Sequence, residues 1–189
     1  MRIGFIGLGN VGGKLAGSIL RNGFDLTVRD LDSELERSFA RKGATIGESP
    51  AQIARNVDIL ITCLPNPAAS AKVMEGEDGV LSTIGSGTIW AEMSTTDERE
   101  VRRLGEQVMA AGGEPIDCPV SGGCHRAATG NISIFAGTER STFDKALPVL
   151  TTLGRQVLHT GPLGSASILK VLTNYLASVN LAALGEALM

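Results

Sequence analysis

Aromatic residues make up 4% of the 189 positions, with one Trp and one Tyr, and there are two histidines, His125 and His159. So few imidazoles argue against a histidine-based metal site, and no metal is expected. The three cysteines, Cys63, Cys118 and Cys124, are odd in number. Their spacing fits no zinc motif and no secretory signal precedes them, so reduced thiols in a cytoplasmic protein are expected. A basic excess is also missing: 17 Lys and Arg against 20 Asp and Glu leave a net charge of −3. No cationic stripe is available to displace counterions, which argues against nucleic acid as a partner. The chain opens at once on a strand-like run, MRIGFIG, leaving no room there for a targeting peptide. The apolar tail 171–189 invites a membrane reading. Asn174, Asn180 and Glu186 argue against it, because polar groups inside a bilayer are costly, and a helix buried on most sides is expected instead. With 43% hydrophobic and 20% charged residues, the composition is that of an ordinary globular chain, without repeats or low-complexity segments.

What is abundant is glycine, 24 residues, and a regular alternation of strand-like and helix-like runs. Strands are expected at Arg2–Ile6, Asp25–Asp30, Ala44–Ile46, Asp58–Leu64, Thr88–Glu92, Glu114–Cys118, Ile132–Ala136 and Gln156–His159. Helices are expected at Asn10–Asn22, Ser33–Lys42 with Ser33 as N-cap, Pro50–Asn56, Ala68–Met74, Asp97–Ala111, Thr142–Leu153 and Ala166–Met189. Such alternation implies an α/β class: a Rossmann-type doubly wound, mostly parallel sheet ending in a long interdomain helix.

The first turn reads Gly7-Leu8-Gly9-Asn10-Val11-Gly12, a G-x-G-x-x-G directly after a strand and opening a helix. Gly7 allows the tight turn, Gly9 a close approach by a pyrophosphate and Gly12 tight helix–strand packing; the helix N-terminus offers free N–H groups. Asp30 ends the second strand about 20 residues on, where a carboxylate takes ribose hydroxyls and repels a 2′-phosphate. NAD is therefore expected over NADP. Arg29 could instead accept a phosphate, but alternation along the strand points it away from Asp30. The competing reading is a glycine-rich turn of a nucleotide-free α/β fold.

Five later stretches follow strand ends or open the last helix: CLPN (63–66), EMSTT (92–96), DCPVSGG (117–123), GPLGS (161–165) and KVLTN (170–174). In this order, over essentially the whole chain, they resemble the β-hydroxyacid dehydrogenase family. The resemblance implies that Gly7, Leu8, Gly9, Asn10, Val11, Gly12, Asp30, Leu64, Pro65, Asn66 and Thr95 line the cofactor. Ser121, Gly122 and Gly123 would hold the substrate, a small acid, by its carboxylate. Lys170 would be the catalytic lysine and Asn174 its companion. The chemistry of the residues agrees. A lysine on an apolar helix loses part of its preference for charge and can handle a hydroxyl proton. Asn174, four residues on, lies on the same helical face. The bland reading of Lys170 is a stem lying on the core with its ammonium in water.

Departures from the family pattern are Glu92 in place of Asp, Ala166 where glycine is common, and the run Cys124-His125-Arg126. A methyl at Ala166 would crowd a turn that needed positive φ. Arg126 could pair with a second acidic group on the substrate or be a plain surface residue. Cys124 is expected to be a small packing residue. The resemblance further implies a dinucleotide-binding domain over 1–164, the start of a linking helix at 165–189, and an all-helical domain after it that this chain lacks. The many leucines of that helix are expected to pair with a second copy, giving a homo-oligomer. The expected activity is oxidation of the CH–OH group of a β-hydroxy acid, or reduction of its semialdehyde. The alternative is a cofactor-binding interaction module without chemistry. Lys170 argues against that and against an imine reductase, in which the lysine is replaced.

Overall fold

The computed structural model describes all residues, 1–189. Nine strands and eight helices follow one another as β1 (Arg2–Ile6), α1 (Gly12–Arg21), β2 (Asp25–Arg29), α2 (Ser33–Ala40), β3 (Thr45–Ile46), α3 (Pro50–Asn56), β4 (Ile59–Thr62), α4 (Pro67–Glu75), β5 (Ile89–Glu92), α5 (Glu98–Ala110), β6 (Glu114–Asp117), β7 (Val120–Ser121), α6 (Gly123–Ala128), β8 (Ile132–Gly137), α7 (Arg140–Leu153), β9 (Gly154–Gly161) and α8 (Ser165–Leu188). They form one sheet in the order β3-β2-β1-β4-β5-β6-β8-β7, with β9 beside β8. The pairs from β3 to β6 are all parallel, as the strand–helix alternation implies.

The central strands are apolar on both faces because each face carries a helical layer. Ile59 and Ile61 of β4 and Ile89 and Ala91 of β5 enter one core with Leu15 and Ile19 of α1 and Phe143 and Leu150 of α7. Their neighbours Leu60 and Trp90 enter a second core with Ile53 of α3, Met74 of α4 and Leu104 and Val108 of α5. Trp90 is fully buried and donates its indole N–H to Thr62 Oγ1 at 2.9 Å.

Several expectations are corrected. Helix α1 begins at Gly12 rather than Asn10, since residues 9–11 form a turn that keeps the glycine loop open. Asp32, not Ser33, caps α2, its side chain accepting from the Glu34 N–H at 2.8 Å. The two-residue β7 and the short α6 have no counterpart in the sequence reading. Strand β8 runs antiparallel to β6 and β7, then pairs in parallel with β9. The last helix is not buried on most sides: only Ala166 and Ser167 of α8 are buried. Leu172, Leu176, Leu181, Leu184 and Leu188 are 52–79% exposed because no second layer covers them within this chain. By length and composition α8 is long and apolar enough to cross a membrane.

Candidate functional site

Register places the working loops side by side. Ile6 pairs with Arg29 and Thr62, Thr62 with Glu92, and Glu92 with Asp117. The carboxyl ends of β1, β2, β4, β5 and β6 therefore stand in one row, and the segments after them share one edge of the sheet. That edge is where ligands bind in doubly wound folds.

The glycine loop shows why each glycine is there. Gly7 has φ +99°, and a Cβ on it would strike the Cys63 carbonyl oxygen. A Cβ on Gly12 would strike the Gly7 carbonyl oxygen. Both positions are fixed by the chain's own packing. Gly9 differs, for no atom lies within 4 Å of where its Cβ would be, and it does not carry a positive φ. The N–H groups of Gly9, Asn10 and Val11 find no acceptor within the chain. An open cradle of unpaired donors at the start of α1 fits a diphosphate, which would fill the space and accept those bonds.

Asp30 faces this loop. Its Oδ2 accepts the Leu8 N–H at 2.5 Å and its Oδ1 the Asp32 N–H at 2.9 Å. Each oxygen retains a lone pair for a ribose hydroxyl. Arg29 is drawn aside to the nearly buried Glu36 at 3.2 Å and the Gly47 carbonyl at 3.3 Å. Glu36 also accepts the Asp30 N–H at 3.1 Å. It was not singled out in the sequence, and only its position one helical turn into α2 hints at it.

At the next two strand ends, Leu64 donates its N–H to Ser94 Oγ at 2.7 Å, and Ser94 donates its own to Glu92 Oε1 at 2.8 Å. These bonds knit the CLPN and EMSTT segments together. Pro65 leads into α4, where the Asn66 side chain accepts the Ala69 N–H at 2.9 Å as N-cap, with Pro67 following at the helix start. Asn66 thus has a structural task beside any contact with a ligand. Thr95 is exposed on the edge. Glu92 is buried, and that burial pushes its carboxyl above the ordinary range despite the bond from Ser94. Burial likewise drives the Cys63 thiol up to about 12 and the Cys118 thiol well above its ordinary value. Both are inert thiols. Cys124 is exposed rather than packed, because it lies on the outer side of the unforeseen α6.

After β6 the chain reaches Ser121, Gly122 and Gly123. Gly122 and Gly123 have φ +130° and +77°, and no atom lies within 4 Å of a Cβ on Gly123. The Gly122 N–H finds no acceptor. Consecutive left-handed residues of this kind expose backbone N–H groups to an anion. Arg126 stacks its stem over Gly122 and lines a concavity of about 250 Å³ with Asn131, Ser133, Arg155 and Gln156. A larger hollow of about 420 Å³ between α5 and α7 holds none of these residues. Its Glu114 is already bonded to Lys145 and Thr142.

Helix α8 packs on β8 and β9, and Ser121 pairs with Ser133 of β8. Lys170 is half-buried and makes no ion pair or hydrogen bond through its amine, and desolvation lowers its pKa from 10.5. Asn174, one turn on, is exposed, with its amide free. Ala166 sits in helical backbone without strain, since the left-handed residue that opens α8 is Gly164, with φ +90°. No group of three His, Cys, Asp or Glu side chains comes together to hold a metal.

A doubly wound sheet with an open glycine cradle and an acid at the end of its second strand defines a dinucleotide-binding domain. The NAD binding domain of 6-phosphogluconate dehydrogenase matches residues 2–161, and the chain belongs to this family. It is 33% identical over 186 residues to a probable mitochondrial 3-hydroxyisobutyrate dehydrogenase of Dictyostelium discoideum, covering 98% of this chain and 58% of that protein. It is 33% identical over 189 residues to 2-(hydroxymethyl)glutarate dehydrogenase of Eubacterium barkeri, covering 100% of this chain and 63% of that protein. The structure of Mycobacterium tuberculosis 3-hydroxyisobutyrate dehydrogenase with L-serine superposes with a TM-score of 0.93 at 26% identity, over 99% of this chain and 64% of that one. The chain thus spans roughly three-fifths of the length of these relatives.

Proposed function

We propose that this chain serves an NAD-dependent oxidoreductase that oxidises the CH–OH group of a small β-hydroxy acid or reduces the corresponding semialdehyde. The observation that carries the reading is the half-buried Lys170, whose amine has no partner, on a chain whose first strand end opens into a glycine cradle of unpaired N–H groups. Gly7 to Gly12 receive the diphosphate and Asp30 the ribose, while Leu64, Pro65, Asn66 and Thr95 border the cofactor along the edge. The bound dinucleotide supplies the hydride acceptor. Ser121, Gly122 and Gly123 hold the substrate carboxylate through hydroxyl and backbone N–H groups. Lys170 Nζ, in its neutral form, takes the hydroxyl proton as the alcohol is oxidised and returns it in reduction. Asn174 orients the same hydroxyl.

Preference for NAD over NADP is supported by Asp30 facing the loop and by Glu36 holding Arg29. Arg126 and Arg155 make no ion pair, and they favour a substrate with a second acidic group. One of the relatives is named for such a diacid. The exposed leucines of α8 support a homo-oligomer formed through that helix; neither nucleic acid nor membrane enters the reading. The test is calorimetric titration with NADH and NADPH, followed by Lys170→Ala. NADH should bind in the micromolar range and NADPH much more weakly. Lys170→Ala should abolish turnover and leave NADH affinity unchanged. Absence of binding by either cofactor would favour an interaction module without chemistry.

A further inference from the structure

Asp117 closes β6 and is fully buried, and its two carboxylate oxygens reach across to a distant part of the chain. Oδ1 accepts the Gly164 N–H and Oδ2 the Ser167 N–H, each at 2.8 Å, across 47 and 50 residues of sequence. These are donors at the start of α8, the helix that carries Lys170 and Asn174. Gly137 makes the approach possible, because a Cβ there would strike Asp117 Oδ1 and lie 2.8 Å from Ser165 Oγ and 2.9 Å from the Pro162 carbonyl oxygen. We propose that Asp117 is a positioning residue: one carboxylate at the end of β6 caps α8 from outside and so sets where Lys170 and Asn174 stand relative to the Ser121–Gly123 loop.

This assignment rests on the catalytic reading of Lys170. Its geometry has two arms. Along the chain, Asp117 is four residues ahead of Ser121, so the substrate loop hangs directly from the strand end. Through space, its two oxygens fix the first turn of α8. Beyond Ser167 the helix has no other buried residue in this chain. Asn174 lies seven residues past Ser167, about 10 Å along the axis at 1.5 Å per residue, so a tilt of about 10° displaces it by about 2 Å. A misplacement of about 1 Å can cost about 100-fold in rate. Asparagine is no substitute, since its amide offers one acceptor oxygen and turns an NH2 group toward the second helix N–H. The negative charge also suits the positive end of the helix dipole. Burial pushes the Asp117 carboxyl above its ordinary range, and the two N–H bonds work against that shift.

Two measurements test the role. In the unmodified chain, amide hydrogen exchange at Gly164 and Ser167 should be slow, although a helix's first N–H groups ordinarily lack partners. Exchange at the rate of free peptide would overturn the proposal, whatever any variant does. In Asp117→Asn, the chain should fold and bind NADH within about twofold of the unmodified chain, because the glycine cradle is untouched. The 13C-methylated Lys170 amine should titrate higher than in the unmodified chain, as water reaches the loosened helix. A folded Asp117→Asn with an unmoved Lys170 titration would leave Asp117 a merely structural residue and overturn the proposal. Turnover is not among these readouts. Failure of the catalytic reading would appear separately, as retained turnover in Lys170→Ala.

Discussion

Two glycines of the same loop offer a sharp separation of fold from function. Gly7→Ala places a left-handed alanine whose Cβ strikes the Cys63 carbonyl oxygen. The left-handed backbone alone costs about 1–2 kcal/mol. At about 2–4 °C per kcal/mol for a chain of this size, the melting temperature should fall by about 2–8 °C before the collision is counted. Gly9→Ala meets nothing within 4 Å and needs no left-handed backbone. Its folded state is unstrained, and the less flexible unfolded chain should raise stability by up to about 1 kcal/mol. The new methyl, however, stands where a diphosphate would approach the unpaired N–H groups. Loss of one such approach, at about 1.4 kcal/mol per decade, should weaken NADH binding by about 10- to 100-fold. Thermal melts monitored by circular dichroism and a calorimetric NADH titration read the two quantities independently. A Gly9→Ala chain that binds NADH as tightly as the original would show that the cradle is not the diphosphate site, and the assignment of residues 7–12 would fail.

Glu92 gives a pH signature. Its folded-state carboxyl titrates above the ordinary 4.5 because of burial, so the native state keeps the proton after the unfolded state has lost it. Its burial is therefore without penalty below about pH 4.5 and costs stability as pH rises from there through the folded value. Glu92→Gln should melt like the original chain at pH 4 and above it at pH 7; parallel pH profiles would contradict the assignment. Helix α8 gives a second. Leu176 and Leu184 are 55% and 56% exposed, and each forgoes about half of the roughly 1.5–3 kcal/mol that full burial would give. Sedimentation velocity should show self-association that Leu176→Ser with Leu184→Ser reduces, and a chain that stays monomeric at high concentration would refute pairing through this face.

The parts of the fold legible in the sequence are those whose cause is local. The run before Gly7, the buried apolar strand expected over 58–64 and the glycine loop declare themselves through neighbours a few positions apart; the structure has strands at both places, the second narrowed to Ile59–Thr62. The excursion through β7 and α6 was not legible, because a two-residue strand has no period and its partner, Ser133, is twelve residues ahead. The α2 cap was missed by one position because Asp32 and Ser33 are both competent caps, and only the backbone decides between them. Asp117 lies inside a motif that the sequence singles out, but its partners are 47 and 50 residues away and are backbone N–H groups, which carry no residue signature. The apolar character of α8 predicts burial without naming the surface that supplies it.

The two halves of the candidate site are held with unequal security. The half proposed for the cofactor is fixed several times over: Gly7 and Gly12 by close packing, Asp30 by the Leu8 and Asp32 N–H groups, and Leu64 by Ser94. Removing any one of these leaves the others in place. The half proposed for the substrate depends on a loop of left-handed glycines and on a helix fixed at its first turn and mostly exposed beyond it. Under the proposed function, that asymmetry would let a bound dinucleotide stay seated while the small acid exchanges. The buried carboxylate at the end of β6 bears a desolvation cost, and it is a strong acceptor for the two N–H groups that open α8.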